Sequence, residues 1–224
     1  MHEHYKHHYY SSGINAKLLS GTTTLAIKCK DGAVLGADTR VTSGYYVAHK
    51  TGRKIYMIRP YIAVTIAGLL ADAQAIVDIL KLNVNLYEIH YGRRISVKAA
   101  ARLLSYVLHR NRLLPLLTEL IVAGRESDKY LIYRLDPLGS LLEDKYAVTG
   151  SGSPIAAGII ESEYREDMSL KDGIKLTIKA LMAAMKRDAA SGDEIMVAVI
   201  DENGYRELSK EEINKFIELI STKQ

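Results

Sequence analysis

Blocks of strands alternate with pairs of helices along this chain, and that order restricts the possible folds more than any other feature. Strands predominate up to residue 67 and two helices follow. The same succession then repeats before a last strand pair and a final helix. Because strands and helices do not alternate one-for-one, a doubly wound parallel sheet is disfavoured. Two mostly antiparallel sheets packed together, with helices outside, fit better. We therefore predict an α+β protein with a four-layer αββα sandwich.

The first block of strands begins with a hairpin. Residues 22–30 and 33–39 are mainly apolar runs joined by Asp31-Gly32, the strongest short-range hairpin signal. We also predict a second hairpin, in which residues 45–50 pair with residues 54–58. The further predicted strands are 61–67, 117–123, 129–135, 140–149, 194–200 and 205–208.

Serine residues mark the starts of three predicted helices. Ser96 and Ser169 each precede apolar residues at helical spacing, and a serine side chain there can accept a hydrogen bond from the first turn. Ser209 begins a Ser-x-x-Glu sequence, which is the pattern of a capping box. Two more helices are predicted directly after glycine-containing junctions, one at Gly68 and one at residues 150–154.

The composition is that of an ordinary globular protein and disfavours several functional classes. The 224 residues include 30 Lys and Arg and 26 Asp and Glu, which are mixed along the chain. No basic run is long enough to form a stripe of positive charge that would bind nucleic acid. No apolar run reaches transmembrane length. The single cysteine, Cys29, suits a reducing compartment, which predicts a cytoplasmic protein. Residues 1–21 lack apolar periodicity, so we interpret them as a leader that precedes one domain at residues 22–224.

The Gly21-Thr22 dipeptide is the most suggestive chemical feature. If the bond between these residues is cut, Thr22 carries a hydroxyl nucleophile and a free α-amine that can act as its base. Threonine also favours strands, so Thr22-Thr23-Thr24 alone is compatible with an ordinary strand start. The residues placed near Thr22 decide between the two interpretations.

Two charged residues are predicted to lie beside Thr22. The first hairpin brings Asp38, at the end of the second strand, next to the start of the first strand. Lys54 begins a later strand, and a lysine held near Asp38 would disfavour protonation of a neighbouring α-amine. The alternative is a surface ion pair between strand ends.

Several other residues that could carry chemistry stand at the ends of predicted elements. The N–H group of Gly68, where a strand meets a helix, can point at a developing oxyanion. Ser151, Asp188 and Ser191 also occur at element ends, where each is compatible with an ordinary cap or turn. The histidines and the cysteine do not have the spacing of metal ligands, so we predict neither a metal nor another cofactor.

Together these motifs resemble those of archaeal-type proteasome β subunits, which are N-terminal-nucleophile (Ntn) hydrolases and threonine peptidases. The matching segments, in the family's order and spacing, are Gly21–Thr24, Gly36–Arg40, Arg53-Lys54, Ala67-Gly68 with Ala71-Asp72, Gly150–Gly152 and Arg187–Gly192. The resemblance extends from Gly21 to near the C-terminal end. It implies the sandwich argued above and a propeptide, residues 1–21, removed by self-cleavage between Gly21 and Thr22.

The resemblance also implies roles for individual residues. Thr22 is expected to be the nucleophile, with Asp38 and Lys54 as its electrostatic partners. The N–H group of Gly68 is expected to donate to the oxyanion. The residues expected around the Thr22 amine are Ser151, Asp188 and Ser191.

Substrate contacts follow from the same resemblance. The substrate backbone is expected to pair, as an added strand, with Thr42, Gly68 and Leu70. The expected specificity pocket is formed by Val41, Gly52, Ile66 and Leu70. Because these residues are apolar, cleavage after hydrophobic residues is favoured. Leu69-Leu70 and Gly52 depart from the family's usual residues, which affects the expected size of the pocket.

At the level of assembly, the resemblance implies paired seven-membered β rings between rings of α subunits, with unfolded proteins as substrates and a separate ATP-dependent unfoldase as partner. It implies no cofactor, nucleic acid or membrane. The alternative function is a structural, catalytically silent subunit of the β ring, although Thr22, Asp38 and Lys54 are all present. A bacterial two-ring threonine protease is disfavoured by the Arg187–Gly192 motif. A proteasome α subunit is disfavoured because no amphipathic helix precedes the first strand.

Overall fold

The computed structural model describes residues 21–222, so the predicted leader lies outside the described residues except for Gly21. Within residues 21–222 the strands are β1 (Thr23–Cys29), β2 (Gly32–Asp38), β3 (Val41–Ser43), β4 (Tyr46–His49), β5 (Ile55–Arg59), β6 (Ile62–Gly68), β7 (Thr118–Glu126), β8 (Lys129–Leu135), β9 (Leu141–Asp144), β10 (Tyr146–Gly150), β11 (Ile195–Asp201) and β12 (Gly204–Glu207). The helices are α1 (Leu70–Tyr91), α2 (Val97–Arg110), α3 (Ser153–Glu163), α4 (Leu170–Arg187) and α5 (Lys210–Ser221).

Two five-stranded antiparallel sheets form the centre of the molecule. The first has the order β10-β1-β2-β11-β12 and the second β5-β6-β7-β8-β9, while β3 and β4 form a separate pair. The predicted first hairpin is present as β1 and β2. Its turn consists of Lys30 and Asp31, because Gly32 already pairs with Cys29. The predicted α+β architecture is confirmed.

Three apolar layers hold the four layers of secondary structure together. Residues such as Leu35 and Ile121 pack between the two sheets. The outer face of the second sheet packs on α1 and α2, where Leu104 is fully buried, and that of the first sheet packs on α3, α4 and α5, where Leu181 is fully buried. Burial of each such side chain contributes roughly 1.5–3 kcal/mol. Strands β1 and β2 are therefore buried on both faces.

Buried hydroxyl groups also join the two sheets. The Oγ1 atom of Thr24 in β1 lies 3.0 Å from that of Thr65 in β6 and 2.8 Å from that of Thr149 in β10. All three residues are fully buried. Since each hydroxyl can donate and accept, the cluster pairs these polar groups without water.

The predicted helix starts at Ser96, Ser169 and Ser209 are confirmed. Each serine Oγ accepts a hydrogen bond from the N–H group three residues later, and Ser209 forms a complete capping box with Glu212. Among residues 21–222, no helix combines the length and apolar character needed to cross a membrane.

The second predicted hairpin is wrong. Strand β4 pairs with β3, a short strand that the prediction missed, and β5 pairs with β6. Gly44, with a positive φ of 59°, lies in the tight turn that joins β3 to β4. Strand β5 instead joins the second sheet, because Ile55 and Ile58 are apolar residues that need a packed layer above them.

The prediction of one strand over residues 140–149 is also wrong. The chain leaves the second sheet after β9 and enters the first sheet with β10. The change occurs at Lys145, whose carbonyl oxygen accepts a hydrogen bond from Lys28 N–H at 2.9 Å. Residues 143–145 are all charged, which suits a short exposed connection between two sheets.

Cys29 provides a test of this packing. Its side chain is 2% exposed, and burial raises the pKa of its thiol to about 12. Since the thiolate is the reactive form, we expect the folded chain to resist a thiol reagent at mildly alkaline pH and the chain unfolded in guanidinium chloride to react fully. With a chromogenic disulfide reagent, the absorbance of the thiolate that it releases measures both reactions. Rapid labelling of the folded chain would contradict this packing.

Candidate active site

The start of β1 places Thr22 at one end of the sandwich. Thr22 is 3% exposed and immediately precedes the strand. The pairing of Thr23 with Gly150 and of Thr24 with Ala37 puts Thr22 beside the ends of β10 and β2. The predicted proximity of Thr22 to the end of the second strand is therefore observed.

Asp38 ends β2 and is fully buried next to Thr22. Its Oδ1 atom accepts hydrogen bonds from Thr23 N–H at 2.8 Å and from Lys54 Nζ at 2.9 Å. Its Oδ2 atom accepts from the N–H groups of Arg40 at 3.2 Å and Gly192 at 2.9 Å. A carboxylate offers about four acceptor positions, so these contacts fix Asp38 in one orientation.

Lys54 lies just before β5, and its side chain reaches into the interior. The Nζ atom donates to Asp38 and also, at 2.6 Å, to the carbonyl oxygen of Arg40. Burial lowers the pKa of Lys54, and the attraction of Asp38 opposes that shift. The exposed fractions of the two side chains are 5% for Lys54 and 0% for Asp38, so the surface ion pair considered as the alternative is wrong.

Because the ion pair is buried, it is expected to contribute little to the free energy of unfolding. The desolvation of two charges often exceeds their attraction, and apolar residues of similar volume are frequently as stable or more stable in such places. The pair therefore requires an explanation other than stability, and it lies beside Thr22.

A second hydrogen-bonded group surrounds the backbone nitrogen of Thr22. The Thr22 N–H group donates to Ser151 Oγ at 3.1 Å, and Ser151 Oγ donates to Asp188 Oδ2 at 2.6 Å. Ser191 Oγ donates to the same Asp188 oxygen at 2.6 Å and lies 2.7 Å from Thr23 Oγ1. The structure thus brings the predicted residues Ser151, Asp188 and Ser191 together around Thr22, although all three are more than 120 residues from it in the sequence.

Gly68 occupies the junction between β6 and α1, as predicted. Its φ angle of 104° is strongly unfavourable for other residues. A Cβ atom at this position would lie 2.3 Å from the carbonyl oxygen of Leu117, so no side chain fits. The N–H group of Leu69 donates to the same carbonyl oxygen at 2.7 Å, which anchors the start of α1.

A small cleft opens beside Thr22 and contains most of the predicted substrate residues. It is lined by Gly21, Thr22, Arg40, Val41, Lys54, Ile66, Ala67, Gly68 and Leu70. Gly52 lies behind Val41 rather than in this lining, since a Cβ atom at Gly52 would be 2.3 Å from Val41 Cγ2. Thr42 is buried, and its Oγ1 atom accepts a hydrogen bond from Gly21 N–H at 2.8 Å.

Two residues that touch these groups have no predicted role. Thr23 connects Asp38 with Ser191 through its N–H group and its hydroxyl. Arg40 contributes backbone contacts to both Asp38 and Lys54. Both residues lie within the matched sequence segments, which is the signal that could have identified them.

The arrangement supports nucleophilic chemistry by Thr22. Thr22, with its hydroxyl and a backbone nitrogen that would become an amine if the preceding bond were cut, lines one cleft together with the buried Lys54. The Asp38 carboxylate bonds to Lys54 behind this cleft. Among residues 21–222, no group of three or more His, Cys, Asp and Glu side chains could hold a metal ion.

Comparison with known proteins gives a consistent result. The family described as "Proteasome subunit" matches residues 18–200. A "Proteasome subunit beta" of Methanocaldococcus vulcanius is 46% identical over 89% of this chain and 90% of the relative. One from Methanopyrus kandleri is 45% identical over 90% and 97%, respectively. A "Proteasome subunit beta 2" of Nitrosopumilus maritimus is 40% identical over 93% and 100%. The residues that the family model matches include every residue of the candidate site.

Removal of one member of the buried ion pair provides a test of the site's electrostatics. We expect Asp38→Ala to lower the free energy of unfolding by about 3–5 kcal/mol, because it leaves the Lys54 charge buried without its carboxylate. The matched control is Glu194→Ala, which breaks the exposed pair with Lys210 and should change stability by less than about 1 kcal/mol. Equilibrium unfolding in denaturant measures both values, and equal effects would contradict the burial described here.

Proposed function

The chain belongs to the proteasome β-subunit family, and from this we propose that it is a catalytic subunit of the proteasome core, an N-terminal threonine endopeptidase that degrades unfolded proteins to peptides. Members of this family are generally hydrolases of the peptidase type. The single observation that carries the proposal is the buried Asp38–Lys54 pair next to Thr22. A silent subunit would have no need of a buried charge pair at this place.

The first reaction in this proposal is cleavage of the chain itself. Thr22 Oγ1 attacks the carbonyl carbon of Gly21, the Gly21–Thr22 C–N bond breaks, and the hydroxyl proton passes to the leaving nitrogen. The acyl group is then held on the Thr22 oxygen as an ester. Water hydrolyses this ester, which releases residues 1–21 with a terminal carboxylate and leaves Thr22 with a free α-amine.

Gly21 has a steric reason to precede the nucleophile. A Cβ atom at Gly21 would lie 1.8 Å from the Cβ atom of Ala190. The absence of a side chain therefore allows the chain to approach the loop that carries Asp188 and Ser191. This close approach supports a fixed position for the bond that is to be cut.

Peptide hydrolysis would use the same hydroxyl with the new amine as base. The amine takes the proton from Thr22 Oγ1, which attacks the substrate carbonyl carbon, while Gly68 N–H stabilises the oxyanion. The amine then gives its proton to the leaving nitrogen, and water hydrolyses the resulting ester. The Lys54 cation disfavours protonation of the amine and so keeps it available as a base.

The cleft supports a preference for hydrophobic residues on the amino side of the cut bond. Val41, Ile66 and Leu70 provide an apolar lining beside Thr22. Gly52 leaves room for the Val41 side chain, because a Cβ atom at position 52 would be 2.3 Å from Val41 Cγ2. Apolar walls of this type favour apolar side chains, because both surfaces leave water on binding.

One face of α1 supports assembly with other subunits. Ile79, Leu82, Leu86 and Ile89 are between 38% and 81% exposed and follow one another at intervals of three and four residues. This heptad spacing places them in one line, opposite the residues that pack on the sheet. A row of large exposed apolar side chains is typical of an interaction surface. We propose that this row packs against helices of the α subunits in a four-ring particle. An ATP-dependent unfoldase would deliver unfolded proteins to that particle.

A cytoplasmic location is also part of the proposal and rests on the lone cysteine, Cys29, and not on the fold. The alternative is a structural β subunit that keeps the fold without activity. Leader loss separates the two functions, because a silent subunit keeps residues 1–21 in the assembled particle.

The nucleophile and its cation are tested by substitution. In particles assembled with α subunits, we expect Thr22→Ala to retain the leader and to hydrolyse no peptide, and Lys54→Ala to behave nearly the same because the amine loses its electrostatic support. Intact-mass spectrometry measures leader loss and a fluorogenic peptide measures turnover. Thr51→Ala, which changes an exposed threonine, is the control and should be processed normally.

Two results would overturn the enzyme proposal. A wild-type chain that keeps residues 1–21 in complete particles and hydrolyses no peptide would favour the silent subunit. Near-normal activity of Lys54→Ala would show that the role given to the buried cation is wrong.

The α1 surface is tested by the introduction of a charge. We expect Leu86→Glu to fold as the wild type does but to fail to assemble with α subunits, because a carboxylate in the apolar row would be buried without a partner. Asn85→Glu changes an exposed neighbour outside the row and should assemble. Native mass spectrometry separates free chains from particles. Normal assembly of Leu86→Glu would exclude this surface.

A further inference from the structure

The loop formed by residues 188–193, which we call the 188–193 loop, determines where two members of the Thr22 network lie. Asp188 and Ser191 belong to it, and both bond to groups next to Thr22. The loop follows the end of α4 and leads into β11. Within the loop, Ser191 N–H donates to the Asp188 carbonyl oxygen at 3.2 Å, and the Asp188 carboxylate accepts from Ala190 N–H at 3.2 Å and from Ser191 Oγ at 2.6 Å. These bonds all involve Asp188, so contacts from outside the loop matter for the position of Gly192 and Asp193.

The Arg40 side chain provides such contacts. Its Nε atom donates to Asp193 Oδ2 at 2.9 Å, and its Nη1 atom donates to the carbonyl oxygen of Ala189 at 2.9 Å. The guanidinium thus holds the loop near both of its ends. Asp193 has a φ angle of 67°, which is uncommon for a residue other than glycine, and such a conformation persists when surrounding contacts impose it.

Gly192 lets the guanidinium lie directly against the loop backbone. A Cβ atom at Gly192 would be 2.3 Å from Arg40 Cζ and 2.4 Å from one of its terminal nitrogens. Any side chain at position 192 would therefore push Arg40 away. The position of the Arg40 guanidinium therefore depends on the absence of a side chain at Gly192.

The backbone of Arg40 meets the other half of the site. Its N–H group contacts Asp38 Oδ2 at 3.2 Å and the carbonyl oxygen of Gly192 at 3.2 Å. Its carbonyl oxygen accepts the hydrogen bond from Lys54 Nζ at 2.6 Å. One residue thus touches the buried ion pair through its backbone, and the 188–193 loop through both its backbone and its side chain.

We propose that Arg40 is a positioning residue, which ties the 188–193 loop to the end of β2 and so fixes the Ser151, Asp188 and Ser191 network relative to Thr22. The inference rests on the proposed function and deepens it, since the network would hold the Thr22 amine. Arginine suits this task because its planar head presents several donors in a rigid fork, whereas lysine offers one compact charge. Arg40 itself takes no part in bond making.

The test uses particles assembled with α subunits and a fluorogenic peptide. We expect Arg40→Ala to lower kcat about 100-fold and to leave KM nearly unchanged, because a shift of about 1 Å in a positioned group has an effect of that size. Arg40→Lys should restore part of kcat through its contact with one of the two acceptors. Arg206→Ala breaks an exposed ion pair with Glu212 and should leave both constants unchanged.

A second variant and a second measurement keep the inference falsifiable if Arg40→Ala does not assemble. Gly192→Ala keeps every charge but displaces the guanidinium, so it should lower kcat in the same way. Hydrogen exchange read by mass spectrometry should show faster exchange of residues 189–194 in Arg40→Ala and Gly192→Ala than in the wild type or Arg206→Ala.

The outcomes separate this inference from the proposed function. Wild-type kcat and unchanged loop exchange in both Arg40→Ala and Gly192→Ala would overturn the role of Arg40 while leaving the peptidase intact. An inactive wild-type chain would overturn the peptidase, and the exchange measurement would still decide whether Arg40 holds the loop. A rise in KM with unchanged kcat would also overturn it, since that pattern belongs to a substrate-binding residue.

Discussion

The buried ion pair between Asp38 and Lys54 is the constraint that the rest of this structure must satisfy. Two charges removed from water need many partners, and here they come from four separate parts of the chain: the start of β1, the end of β2, the segment before β5 and the 188–193 loop. The sandwich brings these parts to one end of the molecule. The apolar layers around them keep water away, so charges interact more strongly here than they would at the surface.

The parts of the fold that local signals determine could be predicted from the sequence. Three serine caps lie where the pattern places them, because each cap depends on residues within one turn of its helix. The first hairpin is equally local, and it alone is enough to place Asp38 beside Thr22. The wrong second hairpin involved a choice among strands of similar character, and that choice depends on which layer can bury Ile55.

The same distinction applies to the candidate site. Thr22 and Asp38 follow from the hairpin, whereas the buried state of Lys54 emerges only when the second sheet is packed on the first. The role of Arg40 could not be predicted, because it depends on an aspartate in a left-handed conformation and on the absence of a side chain at Gly192. Such contacts between a strand end and a distant loop leave no periodic pattern in a sequence.

The hydrogen bond from Gly21 N–H to Thr42 Oγ1 has a consequence for latency under the proposed function. Thr42 is one of the positions expected to pair with substrate, so the uncut chain occupies part of its own substrate groove. The precursor would then be silent for two reasons: the Thr22 nitrogen is still an amide and cannot act as a base, and Gly21 holds the Thr42 hydroxyl. One bond cleavage would therefore do two things in such a zymogen: it creates the amine and it releases Gly21 from Thr42.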